Sequence, residues 1–166
     1  MTYKIDFINS SYRRFFKAHR DEIMGAIEKC YAKGDFVLRE DLEIFEKKLA
    51  KFVGTKYAVG ISSGTDALKL SYVALGLKPG DEVITVGHVF IAPIQEIVHL
   101  GAKPVLIDVG EDGLMDPSLI ENAITKKTVG IVPIHLSGKV LYMTRIMAIA
   151  KRHGLLCVVE DSCQAL

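Results

Sequence analysis

The residues best equipped for chemistry lie in two short polar runs and at three positions between them. Ser62-Ser63-Gly64-Thr65-Asp66 stands between an apolar run and a helical stretch. Gly64 allows a ligand close to the backbone, and the amides after it point out of a helix N-terminus, a geometry that suits phosphate. The same residues also suit a plain capped turn, with Thr65 as the N-cap. Asp66 is favoured there by the helix dipole but repels a phosphate if its carboxylate faces one, so its amide serves a ligand only with the side chain turned away. Glu160-Asp161-Ser162-Cys163-Gln164 follows the last apolar run. A carboxylate placed there can hold a proton on a ligand's ring nitrogen, or it can cap the next turn. Phe90, just after Val86-Gly87-His88, is either a stacking face for a planar ligand or a core aromatic. His88 and His135 are acid–base in type but read better as hydrogen-bonded structural histidines. Lys47, Lys48 and Lys51 read as a solvated helix face.

Nearly 100 positions separate the two polar runs, so a scaffold must bring them together. Apolar spacing at Ile23, Met24, Ile27 and Tyr31 predicts a helix over 21–32, stopped by Gly34. Leu42, Phe45, Leu49 and Phe52 form one stripe of a helix over 41–52, with Glu43 and Lys47 as an i,i+4 pair and Gly54 as C-cap. Beyond it the pattern alternates. Strands are expected at 57–61, 82–86, 104–108, 129–134 and 155–160. Helices are expected at 66–75, 93–100, 117–124 (with Asp116 as N-cap) and 142–153. The strands are continuous apolar runs, which implies an α/β fold with a mostly parallel sheet covered by helices. Ligands gather at the carboxyl ends of such strands, and both polar runs follow strands.

Composition narrows the function classes. The chain has 166 residues, 49% hydrophobic and 25% charged, with a formal net charge of +1. There is no basic field for nucleic acid and no long apolar run for a membrane, so neither is expected as a partner. Cys30, Cys157 and Cys163 have no paired metal spacing, so no metal is expected. Their odd number, without a secretory leader, reads as reduced thiols in a cytoplasm.

Four segments in order resemble the DegT/StrS aminotransferases: Phe45-Glu46-x-x-Leu49-Ala50-x-Phe52-Val53-Gly54, Ser62-Ser63-Gly64-Thr65-Asp66-Ala67-Leu68, Gly101-Ala102-Lys103-Pro104-Val105-x-x-Asp108 and Val159-Glu160-Asp161-x-x-Gln164-Ala165. Pro133-Ile134-His135-Leu136-x-Gly138 adds a fifth. The likeness runs from Gly34 to the end of the chain. It implies the large domain of a fold type I pyridoxal 5'-phosphate (PLP) enzyme, acting as a homodimer. The implied reaction transfers an amino group from an amino acid to a nucleotide-linked keto-sugar, as in polysaccharide biosynthesis. On the matching positions, Thr65 and Asp66 would offer amides to the cofactor phosphate, with Gly64 permitting the turn. Phe90 would stack on the pyridine ring, Asp161 would pair with its nitrogen as the catalytic carboxylate, and Gln164 would contact its hydroxyl. The stretch 87–93 lacks the proline and threonines usual in the family. Ser137 and Lys139 stand where tyrosine and glutamine are commoner.

The family's Schiff-base lysine lies downstream of the Glu-Asp-x-x-Gln segment, and no lysine of this chain matches it. The expectation is therefore an N-terminal fragment, inactive alone: residues 1–33 a helical segment, and 34–166 an incomplete portion of the large domain, without the small domain. The alternatives are a sugar dehydratase of the same fold, or a non-catalytic remnant acting as a regulatory or binding module.

Overall fold

The structure is a computed structural model that describes residues 7–34, 36–155 and 157–165. The chain divides into two compact units, residues 1–60 and 61–166.

The first unit holds two helices, α1 (Phe7–Lys33) and α2 (Glu40–Val53). Helix α1 begins well before residue 21, where the sequence pattern starts to repeat; the mixed run Tyr12–Phe16 is helical too, although Tyr12 and Phe15 are exposed. Gly34 ends α1 in the left-handed conformation that glycine adopts without strain. Gly54 closes α2 in the same way, its N–H donating to Ala50 O at 2.9 Å. The Glu43–Lys47 pair forms at 3.6 Å. The apolar stripe of α2 is not buried: Phe45 and Phe52 are exposed and only Ala50 is fully covered. Glu46 Oε1 accepts the Gly60 N–H at 2.7 Å and ties the following segment back to α2.

The second unit is the α/β layer. Its elements are α3 (Gly64–Ala74), β1 (Glu82–Val86), α4 (Ala92–His99), β2 (Lys103–Ile107), α5 (Ile120–Ala123), β3 (Thr128–Ile131), α6 (Met143–Arg152) and β4 (Cys157–Val158). The four strands are parallel, in the order β2-β1-β3-β4. Strand β1 is buried along its whole length, as its unbroken Glu-Val-Ile-Thr-Val run requires. Ile84, Ile97, Ile120, Ile131, Val132 and Ile146 form the centre of the core, all without solvent exposure. Burying each such side chain stabilises the fold by roughly 1.5–3 kcal/mol.

Four expectations change, the first being the strand expected at 129–134, which closes at Ile131 as β3 with Ile134 left as an isolated bridge. Residues 57–61 form no strand; Tyr57 and Val59 are exposed, and the segment has no ladder partner among the described residues. The strand expected at 155–160 contracts to Cys157–Val158, whose ladder partners among the described residues are Gly130 and Ile131. Pairing resumes as a single bridge between Ile134 and Asp161; Leu156 lies outside the described residues. The helix expected at 117–124 keeps only Ile120–Ala123, while Asp116 Oδ1 caps the preceding turn through the N–H and Oγ of Ser118.

Candidate active site

The chain order of the sheet reverses at β1 and β3: β2 lies on one side of this pair and β4 on the other. Crevices beyond the carboxyl ends of strands at such a switch point are where open α/β sheets bind ligands. A cavity of about 280 Å³ opens there. Phe90 reaches it from the turn after β1, His135 from the segment after β3, Asp161 from the segment after β4, and Gly64 and Thr65 from the start of α3. The lining is mostly apolar with a few convergent polar groups, as small-molecule sites generally are.

The phosphate-type end is built by a cap. Ser63, not Thr65, is the N-cap of α3: its backbone is extended and its Oγ accepts the Asp66 N–H at 3.1 Å. The Ser63 carbonyl accepts the Ala67 N–H. Gly64 and Thr65 therefore carry the two leading amides of the helix, and both line the cavity. Asp66 does not line it. Its carboxylate accepts hydrogen bonds from the Ser62 and Ser63 hydroxyls, which hold it below the ordinary aspartate value. The anion is thus turned into the loop, and the Asp66 amide is occupied by the cap.

The other end is built around Asp161. Its N–H donates to Pro133 O at 3.0 Å, and its carbonyl accepts the His135 N–H at 2.9 Å. Its Oδ1 accepts the Cys163 N–H at 3.1 Å, closing a local turn. The capping use and the ligand-facing use foreseen for this residue therefore coexist: one carboxylate oxygen caps, and the residue still lines the cavity. Gln164 is held from both sides of its chain, its Oε1 accepting from Ser137 N–H at 2.9 Å and its carbonyl from Gly138 N–H at 3.1 Å. That leaves the side-chain amide Nε2 as the end with hydrogens to donate. Ser137 and Gly138 both have positive φ, and Lys139 N–H bonds Leu136 O, so the turn is of the tight hairpin type, and its first two amides grip Gln164 at two different oxygens. Lys139 Nζ donates to Asp112 O at 2.8 Å and fastens this turn to the loop after β2.

Phe90 is 69% exposed, so its ring is not a core aromatic. Behind it, the Tyr72 hydroxyl donates to Pro93 O at 3.3 Å and links α3 to the start of α4. Burial, assisted by the Asp161 charge, pushes the Tyr72 phenol well above its ordinary value and keeps it a donor. His88 shares a 3.1 Å hydrogen bond with Gly113 O, while His135 is bonded on both ring nitrogens.

Cys163 was not singled out from the sequence. A Cβ added at Gly64 would stand 3.0 Å from its Sγ, so a side chain there would have to displace the thiol by a few tenths of an ångström. The Asp161 carboxylate beside it, helped by partial burial, raises the Cys163 thiol above its ordinary value. Its position inside the Asp161–Gln164 motif was the available signal.

Comparison with known proteins agrees with this fold. Residues 17–166 match the model of the DegT/DnrJ/EryC1/StrS aminotransferase family. The chain is 39% identical over 156 residues to dTDP-3-amino-3,4,6-trideoxy-alpha-D-glucose transaminase of Micromonospora megalomicea, covering 93% of this chain and 41% of the relative. It is 40% identical to UDP-2-acetamido-2-deoxy-3-oxo-D-glucuronate aminotransferase of Pseudomonas aeruginosa, covering 88% of this chain and 41% of the relative. Its fold superposes on the crystal structure of NtdA from Bacillus subtilis with bound cofactor PMP, with a TM-score of 0.86 at 37% identity, covering 90% of this chain and 34% of that one. The chain thus spans about two fifths of the length of the curated relatives it matches. With a family match across 150 of its 166 residues, from 17 to 166, the chain belongs to the DegT/DnrJ/EryC1/StrS aminotransferase family.

Proposed function

We propose that this chain supplies the cofactor-binding part of a PLP-dependent enzyme that moves an amino group from an amino acid to a nucleotide-linked keto-sugar. One observation carries the reading: a single cavity collects a helix N-terminus, an exposed aromatic ring, a carboxylate and an amide side chain. That donor set matches four parts of PLP: its phosphate, a face of its ring, the ring nitrogen and the ring hydroxyl. Bound there, the cofactor supplies an electron sink for breaking the bond next to the transferred nitrogen.

The roles of the chain's own residues follow from their chemistry. The Gly64 and Thr65 amides take the phosphate at the positive end of α3, and Asp66 holds that turn, its own amide becoming available only if the Ser63 cap yields. Phe90 offers its face to the pyridine ring, and Gln164 Nε2 donates to the ring hydroxyl. Asp161 holds a proton at the ring nitrogen and balances its charge. Residues 34–166 belong, on this reading, to the large domain, with 1–33 a helical N-terminal segment. The complete enzyme works as a homodimer in the cytoplasm, where the thiols of Cys30, Cys157 and Cys163 stay reduced; the three are unpaired.

A segment graft tests this. Residues 17–166 replace the matching segment of the Micromonospora megalomicea transaminase, and the hybrid is assayed for amino transfer from glutamate to its keto-sugar. We expect measurable turnover in the hybrid and a loss of about a hundredfold in the Asp161→Asn variant, the scale of removing one charge aimed at the reacting system. Unchanged turnover in that variant would reduce Asp161 to a turn cap.

A further inference from the structure

We propose that His135 and Glu160 form a positioning pair that aims Asp161 into the cavity, an inference that rests on Asp161 being the ring-nitrogen partner. His135 is only 3% exposed. Its Nδ1 accepts the Leu141 N–H at 3.3 Å, so the ring proton resides on Nε2, and that N–H donates to Glu160 Oε2 at 3.1 Å. The backbone N–H of His135 meanwhile donates to Asp161 O at 2.9 Å. One residue therefore grips two consecutive residues, Glu160 by its ring and Asp161 by its main chain.

Along extended backbone, successive side chains point to opposite sides. Holding the Glu160 side chain on the imidazole leaves the Asp161 side chain to the other side, where it lines the cavity with Gly64 and Phe90. The Asp161 Oδ1 bond to the Cys163 amide then sets its side-chain rotation. Strand β4 ends at Val158, but parallel pairing carries on past it through Val159 N–H to Ile131 O at 3.1 Å and Asp161 N–H to Pro133 O at 3.0 Å, interrupted only where Pro133 has no N–H to donate, so residue 161 is held by these bonds and the Ile134 bridge. The Glu160 side chain is 48% exposed, and an ion-pair partner so exposed adds little to folding. Losing it should disturb the aim of Asp161 more than the stability of the fold.

The test uses the 166-residue chain and pyridoxamine 5'-phosphate labelled with ¹⁵N in its ring, which binds without needing a lysine. Affinity is read by calorimetry, ring-nitrogen protonation by its ¹⁵N shift, and stability by urea unfolding. In Glu160→Ala we expect affinity about tenfold weaker, the scale of one misaligned charge-assisted hydrogen bond. The ring-nitrogen shift should move toward that of Asp161→Asn. Glu160→Gln should keep parent values, because an amide oxygen still accepts from the His135 ring N–H. Parent affinity and shift in Glu160→Ala, with Asp161→Asn displaced, would overturn the positioning role alone. No binding by the parent chain, or no displacement in Asp161→Asn, would remove the Asp161 reading and the pair with it.

Discussion

Gly130 is the glycine at which an added Cβ would meet a neighbouring atom most closely. It lies on β3 directly opposite Cys157 of β4, and a Cβ placed on it would overlap the buried Cys157 Sγ outright and stand 3.0 Å from Cys157 O. Gly130→Ala must therefore push the strands apart or drive the thiol off its rotamer. Overpacking of this kind costs roughly 1–3 kcal/mol, and the better strand propensity of alanine returns about 0.5–1 kcal/mol. The expected net loss is about 1.5 kcal/mol. At a urea slope of about 2 kcal/mol/M, the unfolding midpoint falls by somewhat under 1 M.

The sharper quantity is the coupling. Cys157→Ala alone removes one buried heavy atom, a loss of about 1 kcal/mol. In the double variant the sulfur is gone and only the 3.0 Å approach to Cys157 O persists, which a shift of a few tenths of an ångström relieves. The double variant should thus be about as stable as Cys157→Ala, giving a coupling of about 1–2 kcal/mol across the four-member cycle. Equilibrium urea unfolding of all four proteins, with slopes compared, measures it. Additivity to within about 0.5 kcal/mol would refute the claim that the missing side chain at 130 makes room for the sulfur at 157.

Two further outcomes are expected. Acid should weaken the fold: Glu82 is held low by Thr125 and then Lys103, Glu121 by His153 and then Arg152, Asp116 by Ser118, and Asp66 by Ser62 and Ser63. All four carboxylates lie below their ordinary values of 4.5 for glutamate and 3.8 for aspartate, so their contribution is complete above those values and is lost as pH falls through and below them. Urea midpoints measured from pH 6 down to pH 3 should drop in that window, and a rise would contradict the assignment. Cys163, raised first of all by its hydrogen bond to Asp161, should react with iodoacetamide at pH 8 more slowly than a free thiol, and faster in Asp161→Asn; an unchanged rate would show that the Asp161 charge does not reach the sulfur.

The parts of this fold legible in the sequence are those with local causes. Glycines 34, 54, 101 and 154 mark helix ends because each adopts a positive φ that other residues resist. The 82–86 strand was readable because Val83, Ile84 and Val86 form a β-branched, largely apolar run that suits a strand buried on both faces, and β1 is that strand. What failed depends on partners distant in the chain. Residues 57–61 have strand composition but no ladder, and β4 is shortened by how far β3 pairs with it. At the site, Phe90, Asp161 and Gln164 converge from segments that follow strands, whereas Gly64 and Thr65 join them from the start of α3, with no strand before it among the described residues. The role of Asp66 did not follow. A Ser-Ser-Gly-Thr-Asp run contains several possible caps, and only the hydrogen bond from the Asp66 amide to Ser63 Oγ decides among them.

A consequence for the site comes from the shortness of β4. Asp161 lies three residues beyond Val158, the last residue of that strand, where pairing with the extension of β3 is reduced to a few bonds and one bridge. Its place depends on two backbone bonds, to Pro133 O and from the His135 N–H, and on the turn through Cys163. Gln164 likewise depends on the tight turn at Ser137 and Gly138. Each such bond is worth only about 1 kcal/mol net to folding, whereas the apolar core behind the strands is worth many times that. Stability and site geometry are therefore separable in this chain. Substitutions at the carboxyl ends of the strands can leave the melting behaviour intact and still misaim the carboxylate. A core change reaches the site only if, like one at Gly130, it alters the β3–β4 spacing from which those bonds are hung.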